Sequence, residues 1–139
     1  MQVIVFKLNE QFYGFATVCV DEVTRPLAAT IIPQGFAWVQ GLVNLRGQIM
    51  TLIDMSVLLG RSSSTNTMWY NNTIIINAEE NPIALMVGNV LGVVDVSDDD
   101  IHKASDEDGN HVLGYISAFN EMITIITLDS ILKEKEGVA

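Results

Sequence analysis

The chain has 139 residues, 49% of them apolar and only 17% charged, with 17 acidic against 7 basic side chains and a formal charge of −10. A chain of this length buries roughly 70% of its unfolded surface, and so large an apolar share excludes intrinsic disorder. The acidic excess argues against nucleic-acid backbones and anionic lipid as partners.

From the N-terminus, the runs Val3–Leu8 and Phe12–Thr17 are short and rich in Val, Ile, Phe and Thr, which predicts strands. The opening residues have no basic stretch followed by a long apolar one, so they do not read as a signal peptide. The single cysteine, Cys19, allows no intrachain disulfide, which suits a reducing, cytoplasmic compartment. Its apolar neighbours Val18 and Val20 predict a plain core residue. A helical turn is expected over Val18–Arg25, where Pro26 discourages continuation. Ile49–Ile53 predicts a further strand. Asp54–Gly60 offers a cap, an apolar stripe and a terminal glycine, the pattern of a short helix. Residues 61–72, rich in Ser, Thr and Asn, predict a connecting loop. The glycosylation pattern at Asn71 has no meaning without secretion.

Thr73–Ala78 and Ile83–Val87 predict two more strands. The mostly apolar stretch from Ile83 to Val94 falls far short of the ~20 residues that span a bilayer. Met122–Ile126 predicts a strand, and Asp129–Gly137 a C-terminal helix with Lys133 and Lys135 near its negative dipole end. The near-continuous apolar character of these strands predicts burial on both faces.

The chain repeats itself. Shifted by seventy positions, Val5 meets Ile75, Phe15 meets Leu85, Val20 meets Val90 and Val23 meets Val93. Shifted by seventy-three, Gly41 meets Gly114, Thr51 meets Thr124, Ile53 meets Ile126 and Leu59 meets Leu132, with no gap from Val39 to Leu59. Each copy reads strand, strand, helical turn, connection, glycine-containing strand, apolar strand, short helix. About five short strands per copy suit a small barrel, because closure removes exposed edges. Features kept in both copies serve folding; those present in one copy are candidates for function.

Catalytic patterns are missing. The segment 88–92 lacks the spacing and lysine of a phosphate loop, and no serine elbow appears. His102 and His111 have no zinc-ligand pattern and read as solvated surface histidines. Asp98–Asp100 and Asp106–Asp108 lack the ligand spacing of a calcium loop and read as a solvated connection with an Asp-capped turn. Trp38, Trp69 and Tyr70 are not interleaved with bases as a single-strand groove requires. These readings point to a binding module that is not an enzyme and uses no metal or cofactor.

One segment remains: Asn44, Leu45, Arg46 and Gly47. Arg46 interrupts an otherwise apolar run from Phe36 to Ile53. Asn and Gly favour a tight turn, so Arg46 reads either as a solvated hairpin tip or as a guanidinium offered to an acidic or carbonyl-rich partner. The second copy has Ser117, Ala118, Phe119 and Asn120 there, and that asymmetry favours the functional reading.

The stretch WVQGLVNLRGQIMTLID (38–54) resembles the central signature of the CheW-like domain family. Tyr13-Gly14-Phe15, Val20–Val23 and Pro33 fit its first half. Ile83–Val87, Val90–Val93, Gly114 and the run to Leu132 fit its second, so the resemblance spans residues 1–139. It implies a mainly β fold: two SH3-like five-stranded β-barrels packed together, with short helices including one at the C-terminus. The first barrel is expected near residues 9–66 and the second near 67–139, with the N-terminal strand available to complete it.

The family also implies an adaptor in bacterial chemotaxis signal transduction. Its partners would be the regulatory domain of a CheA-type histidine kinase and the cytoplasmic signalling tip of a chemoreceptor (a methyl-accepting chemotaxis protein). Nucleic acid and membrane insertion are not expected; recruitment to membrane-associated receptor arrays is. Matched position by position, Ile4, Thr17, Val20, Val23, Val90 and Val94 would form apolar walls for the receptor tip, with Arg46 beside them; no kinase-contact residues are assigned. Thr51 stands where the family usually has proline, Gly88 where an acid often follows, and Thr127 where an aspartate is common. These departures leave open a parallel system such as twitching motility. A small-ligand sensor using the cleft between barrels is the alternative of a different class.

Overall fold

The computed structural model describes residues 1–32, 36–60, 70–78, 81–105 and 111–137. The chain runs β1 (Gln2–Leu8), β2 (Gln11–Ala16), a 3-10 turn (Thr17–Cys19), β3 (Val20–Thr24), β4 (Val39–Leu45), β5 (Gln48–Asp54) and α1 (Met55–Leu58). It continues through β6 (Asn72–Ala78), β7 (Asn81–Val87), β8 (Val90–Asp95), a 3-10 turn (Asp98–Asp100), β9 (His102–Lys103), β10 (Val112–Ala118), β11 (Glu121–Ile126) and α2 (Leu128–Gly137). Most of the expected connection at 61–72 lies outside the described residues, as do Asp106–Asp108.

The fold is mainly β, as expected, with two sheets. One orders its strands β8-β1-β2-β11-β10-β9 and the other β3-β6-β7-β5-β4. Two compact units follow: residues 1–18 with 91–139, called unit 1, and residues 19–90, called unit 2. The chain therefore does not divide near residue 66.

The reason lies in the pairing. β2 joins β11 in parallel, and β5 joins β7 in parallel. The β1–β2 hairpin of the first copy thus completes a sheet made from strands of the second, and the β6–β7 hairpin of the second completes the sheet of the first. The doubling read in the sequence and the doubling present in space are cut at different places.

Two expectations are corrected. Residues Val20–Thr24 form a strand, not a helical turn: four of the five residues of β3 pair along β6, from Val20 with Ile76 to Thr24 with Thr73. Three β-branched residues in five, Val20, Val23 and Thr24, favour a strand, and burial alternates along it as in a half-buried one. The sheets are also not closed five-stranded barrels. Unit 1 has six strands, and among the described residues no ladder joins β8 to β9 or β3 to β4.

Both faces of β1 and β6 are buried, as their continuous apolar runs require. Val3 and Val5 enter a core with Val96, Ile116, Ile123 and Ile125. On the opposite face Ile4 is 2% and Phe6 0% exposed, and Phe6 packs edge-on against Phe15 with ring centroids 5.6 Å apart. In unit 2, Ile75 enters a core with Val43, Met50, Leu52 and Ala84, while Ile74 and Ile76 are equally buried. Each such side chain contributes about 1.5–3 kcal/mol relative to exposure.

Cys19 is half-buried at the 3-10 turn and not in the core. His111 is half-buried too, with Nδ1 3.3 Å from the Ser130 hydroxyl; only His102 is solvent-exposed as expected. Asp98–Asp100 form a turn closed on Ser97, whose amide and hydroxyl both donate to Asp100 Oδ2 at 3.0 Å. Those bonds to the charged form hold the Asp100 carboxyl below its ordinary pKa.

Candidate functional site

The segment singled out in the sequence forms the β4–β5 hairpin tip. Leu45 pairs with Gln48, so Arg46 and Gly47 make a two-residue loop. Their φ values, +52° and +85°, are those of a type I′ turn, whose twist matches the flanking strands. The Asn44 side chain accepts a hydrogen bond from the Gly47 amide at 2.9 Å, which fixes the loop. Glycine takes a positive φ freely, but Arg46 carries a cost of roughly 1–2 kcal/mol there. A turn built only for folding would place Asn or Asp at that position.

The Arg46 side chain is 67% exposed and forms an ion pair with Glu22 on β3. β3 and β4 are the outer strands of this sheet, so the pair bridges the seam that no backbone ladder closes. Glu22 directly follows a bulge in β3: the register of β3 on β6 shifts between Val20 and Glu22. Nothing in the local sequence singled out Glu22. Its partner lies 24 residues on, beyond the reach of any local pattern.

The other expected contact residues divide between the units. In unit 2, Val20 and Val23 flank Glu22 on β3; Val23 is 40% exposed and Val20 half-buried. Val90 is half-buried, its amide held by the Asn72 side chain at 2.9 Å. In unit 1, Thr17 is half-buried in the 3-10 turn, and Val94 packs partly against the core. Ile4, 2% exposed, offers almost no surface. Arg46, Val20 and Val23 are therefore brought onto one seam of unit 2 with Glu22.

The signature also ends on a buried group, Asp54, that does more than cap a helix. Asp54 is 2% exposed. Its Oδ1 accepts from the amides of Ser56 (3.0 Å) and Val57 (3.3 Å), capping α1, and its Oδ2 accepts from the Tyr70 hydroxyl at 2.5 Å. Burial first, then the hydrogen bond and charge of Asp54, push the Tyr70 hydroxyl above its ordinary pKa. Asp54 has Thr127 as its counterpart at the start of α2, where the hydroxyl donates to the His111 carbonyl at 3.2 Å. The two positions share a backbone bond: Asp54 N to Trp38 O and Thr127 N to His111 O, each 2.8 Å.

Among the described residues no group of three or more His, Cys, Asp or Glu is placed to hold a metal. No described helix is long and apolar enough to cross a membrane.

Comparison with known proteins agrees with this geometry. The CheW-like domain profile matches residues 2–136. The chain is 27% identical to the chemotaxis protein CheW of Thermotoga maritima, covering 99% of this chain and 93% of that protein. It is 28% identical to the chemotaxis protein CheW of Rhizobium meliloti, covering 99% and 91%. The crystal structure of the scaffolding protein TtCheW from Thermoanaerobacter tengcongensis superposes with a TM-score of 0.78 at 27% identity, covering 94% of this chain and 90% of that one.

Proposed function

Since the chain belongs to the CheW-like domain family, we propose that it is a non-catalytic adaptor in chemotaxis signalling, coupling chemoreceptor tips to the regulatory domain of a CheA-type histidine kinase. It acts in the cytoplasm, recruited to receptor arrays at the membrane. The relatives named chemotaxis protein CheW and the TtCheW scaffold support this reading.

The observation that carries it is the Arg46 turn. A bulky cation sits at a strained backbone position, exposed, inside the most specific stretch of the family signature. The ion pair with Glu22 does not explain its retention. A pair this exposed contributes under about 1 kcal/mol, no more than the backbone conformation costs. A guanidinium offered to a receptor's carboxylates or carbonyls does explain it, with register set by its planar fork of donors. Val20 and Val23 supply apolar contact beside it on the same unit, and Val90, also of unit 2, with Thr17, Val94 and Ile4 of unit 1 are the further positions assigned to the receptor from the family resemblance.

Isothermal calorimetry on purified receptor-tip fragment and kinase regulatory domain tests the proposal. Arg46→Glu weakens receptor binding by at least ~10-fold, the loss expected on reversing one interfacial charge, and leaves the melting temperature nearly unchanged. Combining it with Glu22→Arg rebuilds the intrachain pair without restoring the receptor contact. Unchanged receptor binding by Arg46→Glu removes the arginine assignment. If the wild-type chain binds neither partner, the adaptor role itself is lost.

A further inference from the structure

The hairpin tip of unit 1 carries an aromatic side chain that the fold does not require. Ala118 pairs with Glu121, so Phe119 and Asn120 form the two-residue loop, with φ values of +53° and +61°. Asn accepts such a conformation readily; a phenylalanine there is an outlier. Its ring is not hidden in compensation, since Phe119 is 44% exposed. The ring edge lies over Gly92 on β8, where an added Cβ would come within 3.3 Å of it. Gly92 therefore leaves room for the ring edge against the strand, while much of the residue stays exposed to solvent.

Acidic side chains predominate around the tip, the nearest base being Lys7 on β1, whose ammonium group lies 5.8 Å from the centroid of the Phe12 ring. β8, β10, β11 and the turn carry Asp95 and Glu121, both exposed, and no lysine or arginine. Lys103 on β9 pairs with Gly114, at the other end of β10. Val93 next to Gly92 is 51% exposed, and Met122 next to Glu121 is 61% exposed. An apolar tip with an acidic rim is complementary to a basic segment with apolar side chains, and an aromatic face attracts a guanidinium or ammonium group.

We propose that the Phe119 tip of unit 1 is a docking surface for a basic polypeptide segment, which lays a cationic side chain on the exposed ring between Val93 and Met122. The ring is retained at a strained position for recognition. This surface shares no residue with the Arg46 seam, but β8 also carries Val90 and Val94, assigned above to the receptor; binding of Arg46→Glu and of Phe119→Gly to the receptor-tip fragment and to a basic peptide separates the readings.

The test joins binding to stability in the full chain. The probes are a short peptide alternating leucine and arginine and its leucine–glutamate counterpart, titrated while the aromatic resonances of Phe119 and the methyl of Met122 are followed by NMR. The arginine peptide shifts both resonances saturably and the glutamate peptide shifts neither. Phe119→Gly reduces affinity roughly threefold or more while its melting temperature equals or exceeds that of the wild type, because glycine relieves the positive φ. Three results overturn the proposal: no shift with the arginine peptide, equal affinity of Phe119→Gly and wild type, or a fall in melting temperature on that substitution. The last would make the ring a structural clasp on Gly92.

Discussion

Unit 2 and unit 1 place different chemistry where a hairpin tip meets an outer strand. In unit 2 the turn residue Arg46 reaches Glu22 on the outer strand β3. In unit 1 its repeat counterpart Phe119 lies on Gly92, the counterpart of Glu22, on the outer strand β8. Both members of the contact have changed together, an ion pair on one side and an aromatic ring on a bare backbone on the other. The flanking exposed residues have not: Val23 and Ile49 in unit 2 match Val93 and Met122 in unit 1, all between 40% and 61% exposed. The fold therefore fixes where a hairpin tip meets an outer strand and leaves the contacting pair free to be selected for partners.

The strongest way to break this comparison is to attack what both units share. Gly41 and Gly114 occupy equivalent bulged positions in β4 and β10. A Cβ at Gly41, already at φ +149°, would lie 2.1 Å from the Thr30 carbonyl oxygen; one at Gly114 would lie 2.5 Å from that of His102. Gly41→Ala and Gly114→Ala should each destabilise by about 3 kcal/mol or more, Gly41→Ala the more because its backbone is strained as well. Denaturant unfolding measures this, and a neutral result at either site would show that the two bulges are not equivalent.

A smaller effect separates the helix starts. Asp54→Ala removes a cap and leaves the Tyr70 hydroxyl without its acceptor, a loss of about 2 kcal/mol. Thr127→Ala removes one hydroxyl bond to His111 and should lose about 1 kcal/mol. Equal losses in urea melts would mean that Tyr70 adds nothing to the first cap.

The smallest effect is confined to alkaline pH. Folding raises the Tyr70 pKa, so the folded state holds its proton where the unfolded state releases it. The resulting stability is complete below the ordinary tyrosine pKa of about 10 and is lost as pH rises beyond it toward the folded value. Tyr70→Phe should make the alkaline stability profile shallower than that of the wild type. Parallel profiles would sink the Asp54–Tyr70 assignment.

Much of this was legible in the chain alone. Apolar periodicity and turn residues marked six strands, and the Asp54 cap with the terminal Gly60 marked α1, whose observed span is Met55–Leu58. The internal repeat paired Gly41 with Gly114, and the lack of an arginine at residues 117–120 of the second copy singled out the Arg46 tip. These are local properties: a strand's apolar pattern, a turn's φ preference and a helix's cap are written within a few neighbouring residues.

Tertiary structure decided which strands became neighbours. The exchange of hairpins between the two copies rests on the parallel pairings of β2 with β11 and β5 with β7, and periodicity says which face of a strand is buried without saying beside what. It likewise decided that Val20–Thr24 is a strand, since that depended on β6 being there to pair with it. Glu22 meeting Arg46, Tyr70 meeting Asp54 and Phe119 lying on Gly92 are contacts between residues far apart in the chain. The first and third exist because hairpin tips meet outer strands, the second because β5 and β6 both flank β7, and no local pattern in the sequence encodes either arrangement.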